Sequence, residues 1–66
     1  MKKVYKATAN AIPEVGHKFM CTIDGMPAPG FTKTPVKMIR TSSFKEIMTV
    51  YVETEDAIYI LTYIMV

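Results

Sequence analysis

Apolar and polar positions alternate with a period of two along most of the chain, the mark of strands with one buried face. Val4 to Ala9 sets Tyr5, Ala7 and Ala9 against Lys6 and Thr8 and predicts a first strand. Asn10 to Gly16 holds a proline, which cannot donate to a ladder, and a glycine, which takes positive φ freely. It predicts a loop, with Ile12 and Val15 tucked under the edge of a barrel. The cleanest alternation runs from His17 to Ile23, where Phe19, Cys21 and Ile23 face one way and Lys18, Met20 and Thr22 the other. Asp24-Gly25 opens a turn, and Met26-Pro27-Ala28-Pro29-Gly30 extends it into what should be an exposed segment and the longest irregular loop.

Phe31 to Arg40 resumes extended structure, because Pro35 pushes Thr34 out of the α region. Here Val36, Met38 and Arg40 alternate with Lys37 and Ile39, and Thr41-Ser42-Ser43 is expected to break the strand. Ser43 to Tyr51 supports two readings. Ser43 followed by Glu46 matches a capping box, and Phe44, Ile47, Met48 and Tyr51 recur at helical spacing. The β-branched and aromatic run Thr49-Val50-Tyr51-Val52 fits a pleated sheet better, and strand is the favoured reading. Glu53 to Asp56 then forms a tight connection, with Asp56 suited to the left-handed region, leading to the most apolar segment, Ala57 to Met65. Five short strands without a crossover helix predict an all-β domain, a small five-stranded antiparallel SH3-like barrel or curled sheet spanning residues 1–66. An OB-like barrel is the less favoured alternative, since it usually adds a helix.

Both faces of the last strand are apolar. Tyr59, Leu61, Tyr63 and Met65 lie on one side, and Ile58, Ile60 and Ile64 on the other. One set fills a core; the second needs a cover, either the proline-rich loop or a neighbouring subunit. Size bears on that choice. A 66-residue chain buries only about 60% of its unfolded surface, and domains this small often lean on disulfides, metals or partners. A lone cysteine, Cys21, excludes an internal disulfide, and one cysteine with one histidine falls short of a closed zinc site. Self-association is therefore expected, with Ile58, Ile60 and Ile64 as the oligomer interface.

Composition places the chain among folded proteins, at 50% hydrophobic and 21% charged residues, with a net charge of +2 that is too small to argue for strong nucleic-acid binding. Lys6 and Asn10 interrupt any signal-like apolar run near the N-terminus, and no stretch reaches membrane-spanning length. A cytoplasmic protein with no membrane partner is expected, in keeping with a free thiol.

Catalytic chemistry is sparse. His17 and Cys21, four residues apart on a strand, would stand about 13 Å apart, beyond the reach of a nucleophile and its base. Glu53, Glu55 and Asp56 read as a solvated turn rather than a metal site, and no phosphate-cradling glycine loop or nucleophile elbow is present. No enzyme and no cofactor is expected. Binding chemistry is richer: Lys33, Lys37 and Arg40 lie around the third strand, and Tyr51, Tyr59 and Tyr63 on the two that follow. Guanidinium and ammonium groups suit phosphates, and tyrosine rings stack on bases, so Lys33, Lys37, Arg40, Tyr51 and Tyr63 are the candidate ligand residues. The plainer alternative is that the tyrosines pack and the lysines keep the surface soluble.

Thr32-Lys33-Thr34-Pro35-Val36, then Val50-Tyr51-Val52-Glu53-Thr54 and Ala57-Ile58-Tyr59-Ile60-Leu61, resemble a loosely defined group of small uncharacterised β-proteins from bacteria and their phages. Their pattern is Thr-x-Pro-Val, a strand ending in Thr, and a Tyr-x-Leu strand. The likeness covers about the second half of the chain and rests on short motifs. The chain departs from it at Glu55-Asp56-Ala57, where the group has an Asn-Ser turn. The resemblance implies a phage or mobile-element accessory, of the anti-defence kind, without a catalytic role. Three expectations stand together. The first is a homo-oligomeric binding module that blocks a host protein or sequesters a small anionic or nucleotide-like ligand. The others are a nucleic-acid-binding barrel and a structural assembly subunit.

Overall fold

The computed structural model describes residues 2–64. Six strands form in chain order: β1 (Lys3–Thr8), β2 (Met20–Ile23), β3 (Gly30–Phe31), β4 (Met38–Phe44), β5 (Ile47–Glu53) and β6 (Ala57–Ile64). They make one sheet in the order β3-β2-β1-β6-β5-β4. Every neighbouring pair is antiparallel except β1 and β6, which run parallel from Lys3↔Ala57 to Ala7↔Leu61. The domain is all-β, as expected, but its sheet is six-stranded, mixed and open rather than a five-stranded antiparallel barrel. One edge strand, β3, is two residues long, and the other, β4, pairs only with β5 among the described residues, so the ends never meet.

The clean alternation from His17 becomes a ladder only at Met20. His17 to Phe19 are instead tied to the β3–β4 connection: Val36 N donates to His17 O and Thr32 N to Phe19 O, both at 2.9 Å. The longest connection is therefore residues 9–19 rather than the proline-rich segment, which is exposed as expected. Within it Pro13 is buried, whereas Ile12 and Val15 are exposed. Val36 is buried ahead of β4, while Met38 and Arg40 are exposed and Ile39 turns half inward, so the expected alternation changes phase between Val36 and Met38.

Thr41-Ser42-Ser43 do not break the chain; β4 runs through them, and each pairs in register with β5. Serine favours turns by bonding its own backbone, a weak preference that a continuous antiparallel ladder overrides. The break falls at Lys45-Glu46, a two-residue hairpin turn in which Lys45 has φ 57°. Among the described residues it is the one non-glycine with positive φ, the role expected of Asp56. Strand thus holds over helix for Ser43 to Tyr51. The helical spacing of Phe44, Ile47 and Tyr51 has a simple source: Phe44 and Ile47 are cross-strand partners, and Ile47 and Tyr51 share a face by period two.

The inner face of the sheet carries the core. Ala7, Cys21, Val50, Val52, Ala57, Tyr59 and Leu61 come from strands, while Phe19 and Val36 fold over them from the connections. Leu61 and Val52 have no exposure at all, and burying side chains of this size stabilises by roughly 1.5–3 kcal/mol each. Tyr5 and Tyr59, opposed in the parallel pair, stack with ring centroids 5.5 Å apart.

Two buried threonines fix the connections. Thr32 Oγ1 accepts from Phe19 N at 3.1 Å and donates to Thr34 O at 2.8 Å. Thr54 Oγ1 accepts from Ala57 N at 3.2 Å, and Thr54 N donates to Ala57 O at 2.9 Å, closing the β5–β6 turn. No helix among the described residues is long and apolar enough to cross a membrane.

Candidate functional site

Strand register decides which side chains share the outer face. Across β4, β5, β6 and β1, one row runs Met38, Glu53, Ile58, Val4 and the next Arg40, Tyr51, Ile60, Lys6. A hydroxyl row, Ser42, Thr49, Thr62, follows, and then a second apolar row, Phe44, Ile47, Ile64. The connections that cover the core lie against the inner face, so the outer one stays open: Val4 is 59% exposed, and Phe44 and Ile64 are 74% exposed. Ile58 and Ile60 are half-buried among their neighbours in the sheet. The proline-rich segment does not cover these isoleucines; Met26 and Ala28 line a concavity with Cys21, Ile23 and Tyr59 on the inner side.

The outer face is hollowed where Arg40 and Tyr51 pair across β4 and β5. Met38, Arg40, Thr41, Tyr51, Glu53 and Ile58 line a shallow concavity of about 460 Å³. Arg40 Nε lies 3.4 Å from Met38 Sδ, so the guanidinium is held over the hollow by a weak acceptor. Glu53, at its rim, is anchored elsewhere: Lys2 Nζ donates to Glu53 Oε2 at 2.6 Å and to Thr54 O at 2.8 Å. That hydrogen bond, with the charges of Lys2, Lys37 and Arg40, holds the Glu53 carboxyl below its ordinary pKa.

The five predicted ligand residues are thus divided. Arg40 and Tyr51 meet on the outer face. Lys37 lies at the same end, but its ammonium is 3.2 Å from Glu55 Oε2. Lys33 lines a separate inner-side concavity with Lys3, Tyr5, Phe31 and Tyr59. The Tyr63 hydroxyl donates to Ala11 O at 2.7 Å, tethering the residue 9–19 connection, and burial raises its pKa. Periodicity alone left Val4, Met38, Phe44 and Ile47 out of the outer face. Val50 and Val52 point inward, so the alternation along β5 turns Ile47 and Tyr51 outward.

Cys21 is buried and its pKa is raised by desolvation, which makes it a poor nucleophile. His17 is exposed and its nearest acidic group, Glu14, is 3.9 Å away. The three carboxylates of the β5–β6 turn have separate partners, Lys2 for Glu53, Lys37 for Glu55 and the Thr54 hydroxyl for Asp56.

The class these features define is an all-β domain with an open six-stranded mixed sheet, covered on one face and bare on the other. Compared with family models, with curated proteins and with solved structures, the chain matches none of them.

Proposed function

We propose that the chain is a non-enzymatic binding module that works as a homo-oligomer. A second copy covers the outer face through Ile58, Ile60 and Ile64, and the junction holds a small anionic ligand against Arg40, Tyr51 and Lys37. The observation that carries this is the bare outer face, on which Val4, Met38, Phe44, Ile47 and Ile64 stand exposed while the buried core lies on the inner face. The two apolar rows are separated by the Arg40 row and the hydroxyl row, so what lies open is a mixed apolar and polar face; exposed apolar side chains in such number mark an interaction site, and a 66-residue core gains stability from covering them. Sequestering a small anion or blocking a host protein is the action such an accessory would have in a phage or mobile element. A nucleic-acid surface has less behind it, since the two rows around the hollow carry only Arg40 and Lys6 as cations.

Light scattering at micromolar concentration tests the oligomer. Wild type should exceed the monomer mass, and Ile60→Lys should lower that mass with its strand circular dichroism intact. A monomeric wild type overturns the proposal. Native mass spectrometry of protein purified from cells reports the stoichiometry and any retained small anion together.

A further inference from the structure

β4 is an unusually open edge. It spans seven residues with a continuous one-to-one register against β5, carries no proline or lysine, and bears a single charge, Arg40. All of it except Ile39 is exposed. The opposite edge, β3, is only two residues long, and short edge strands discourage pairing. A long free edge presents backbone donors and acceptors whose natural occupant is another extended strand.

We infer that β4 pairs antiparallel with β4 of a second copy in a register centred on Thr41, and that the joint brings two Arg40 side chains together as an anion site neither copy has alone. This rests on the homo-oligomer reading and names one of its joints. Only the Thr41-centred register overlaps all seven residues. It sets Met38 opposite Phe44 of the second copy, Ile39 opposite Ser43, and Arg40 opposite Ser42. The row Phe44, Ile47, Ile64 of one copy then runs on into the row Met38, Glu53, Ile58, Val4 of the other. Centring on Arg40 would set like charges directly opposite, and a slip of one residue would join the outer face of one copy to the inner face of the other. In the Thr41 register the two Arg40 residues are diagonal neighbours on the outer face, about 7–8 Å apart. That is the backbone spacing; with each Arg40 Nε released from Met38 Sδ, 3.4 Å away, the two long side chains reach a common small polyanion such as a diphosphate.

A cysteine scan on the full chain tests the register. Thr41→Cys places two thiols on the dyad at a Cα spacing of about 4.5–5.5 Å, within disulfide range, whereas two Ser43→Cys residues would be about 14 Å apart. Cys21 is buried and stays out of the reaction. Under mild oxidation Thr41→Cys should give a covalent dimer on a non-reducing gel at least tenfold faster than Ser43→Cys. Equal rates, or no dimer from Thr41→Cys, overturn the β4 joint. Light scattering of wild type separates the two readings: an oligomer that Thr41→Cys fails to link leaves the face reading standing, and a monomer removes both. Inorganic pyrophosphate should raise the thermal midpoint of wild type and leave Arg40→Gln unmoved. No rise in wild type, or an equal rise in both, overturns the arginine site.

Discussion

Thr54 has no exposure, and its hydroxyl serves the β5–β6 turn from both sides, accepting from Ala57 N at 3.2 Å while lying 3.2 Å from Asp56 Oδ1 and 3.3 Å from Ala57 O. Thr54→Val keeps the shape of the side chain and deletes that hydroxyl. Ala57 is 3% exposed, so water does not readily replace the lost acceptor, and an unmet buried donor costs about 1–3 kcal/mol. A chain of 66 residues has a total stability of roughly 3–10 kcal/mol, which makes this a large fraction. At about 4–8 °C per kcal/mol for a domain of this size, the thermal midpoint should fall by at least 4 °C and by as much as about 24 °C. Circular dichroism melts, run at one protein concentration because self-association stabilises by mass action, measure it. Thr54→Ser, which keeps the hydroxyl, should lose less. A Val variant that melts with wild type, or above the Ser variant, would show that the hydroxyl does not hold the turn.

Leu61→Ala, at a position with no exposure between β1 and β5, should cost about 2–5 kcal/mol and lower the urea midpoint without changing the slope. A loss under 1 kcal/mol would mean that the core collapses onto the gap. The Glu53 carboxyl has a lower pKa folded than unfolded, so its pairing stabilises fully above the unfolded value of about 4.3 and is lost as pH falls through the folded one. Urea midpoints between pH 6 and 3 should drop more steeply for wild type than for Glu53→Gln or Lys2→Ala; parallel curves would refute the pairing. Buried Cys21, its pKa raised, should react with iodoacetamide at pH 8 far more slowly in the native protein than in urea, and equal rates would place it at the surface.

Much of the architecture is legible in local pattern. The period-two alternation over Val4 to Ala9 and through the last strand places β1 and β6, and the apolar character of both faces of β6 suits a strand in the middle of the sheet, flanked by β1 and β5. Thr32 and Thr54, met first as parts of short motifs, turn out to be buried hydrogen-bonding pins that shape two connections. What local pattern misreads are places where a distant partner overrules it. Ser42 and Ser43 look like a break and become strand because β5 returns alongside; His17 and Phe19 look like strand and become connection because Val36 and Thr32 reach them first. The candidate ligand residues were grouped by nearness in the chain, and pairing separates them: Arg40 meets Tyr51, while Lys33 goes to the other face and Tyr63 ties down a loop.

The sequence by itself determined that the chain builds strands, that Leu61 and Tyr59 point away from Ile58 and Ile60, and that no disulfide within these 66 residues can reinforce it, because side-chain period and cysteine count are properties of the chain alone. Only the tertiary structure decided that β1 lies parallel to β6, that the sheet stays open, and that β4 is left as its long bare edge. Strand order and register are set by contacts between residues far apart in sequence, as between Lys3 and Ala57, and no local alternation encodes which strand will arrive beside which.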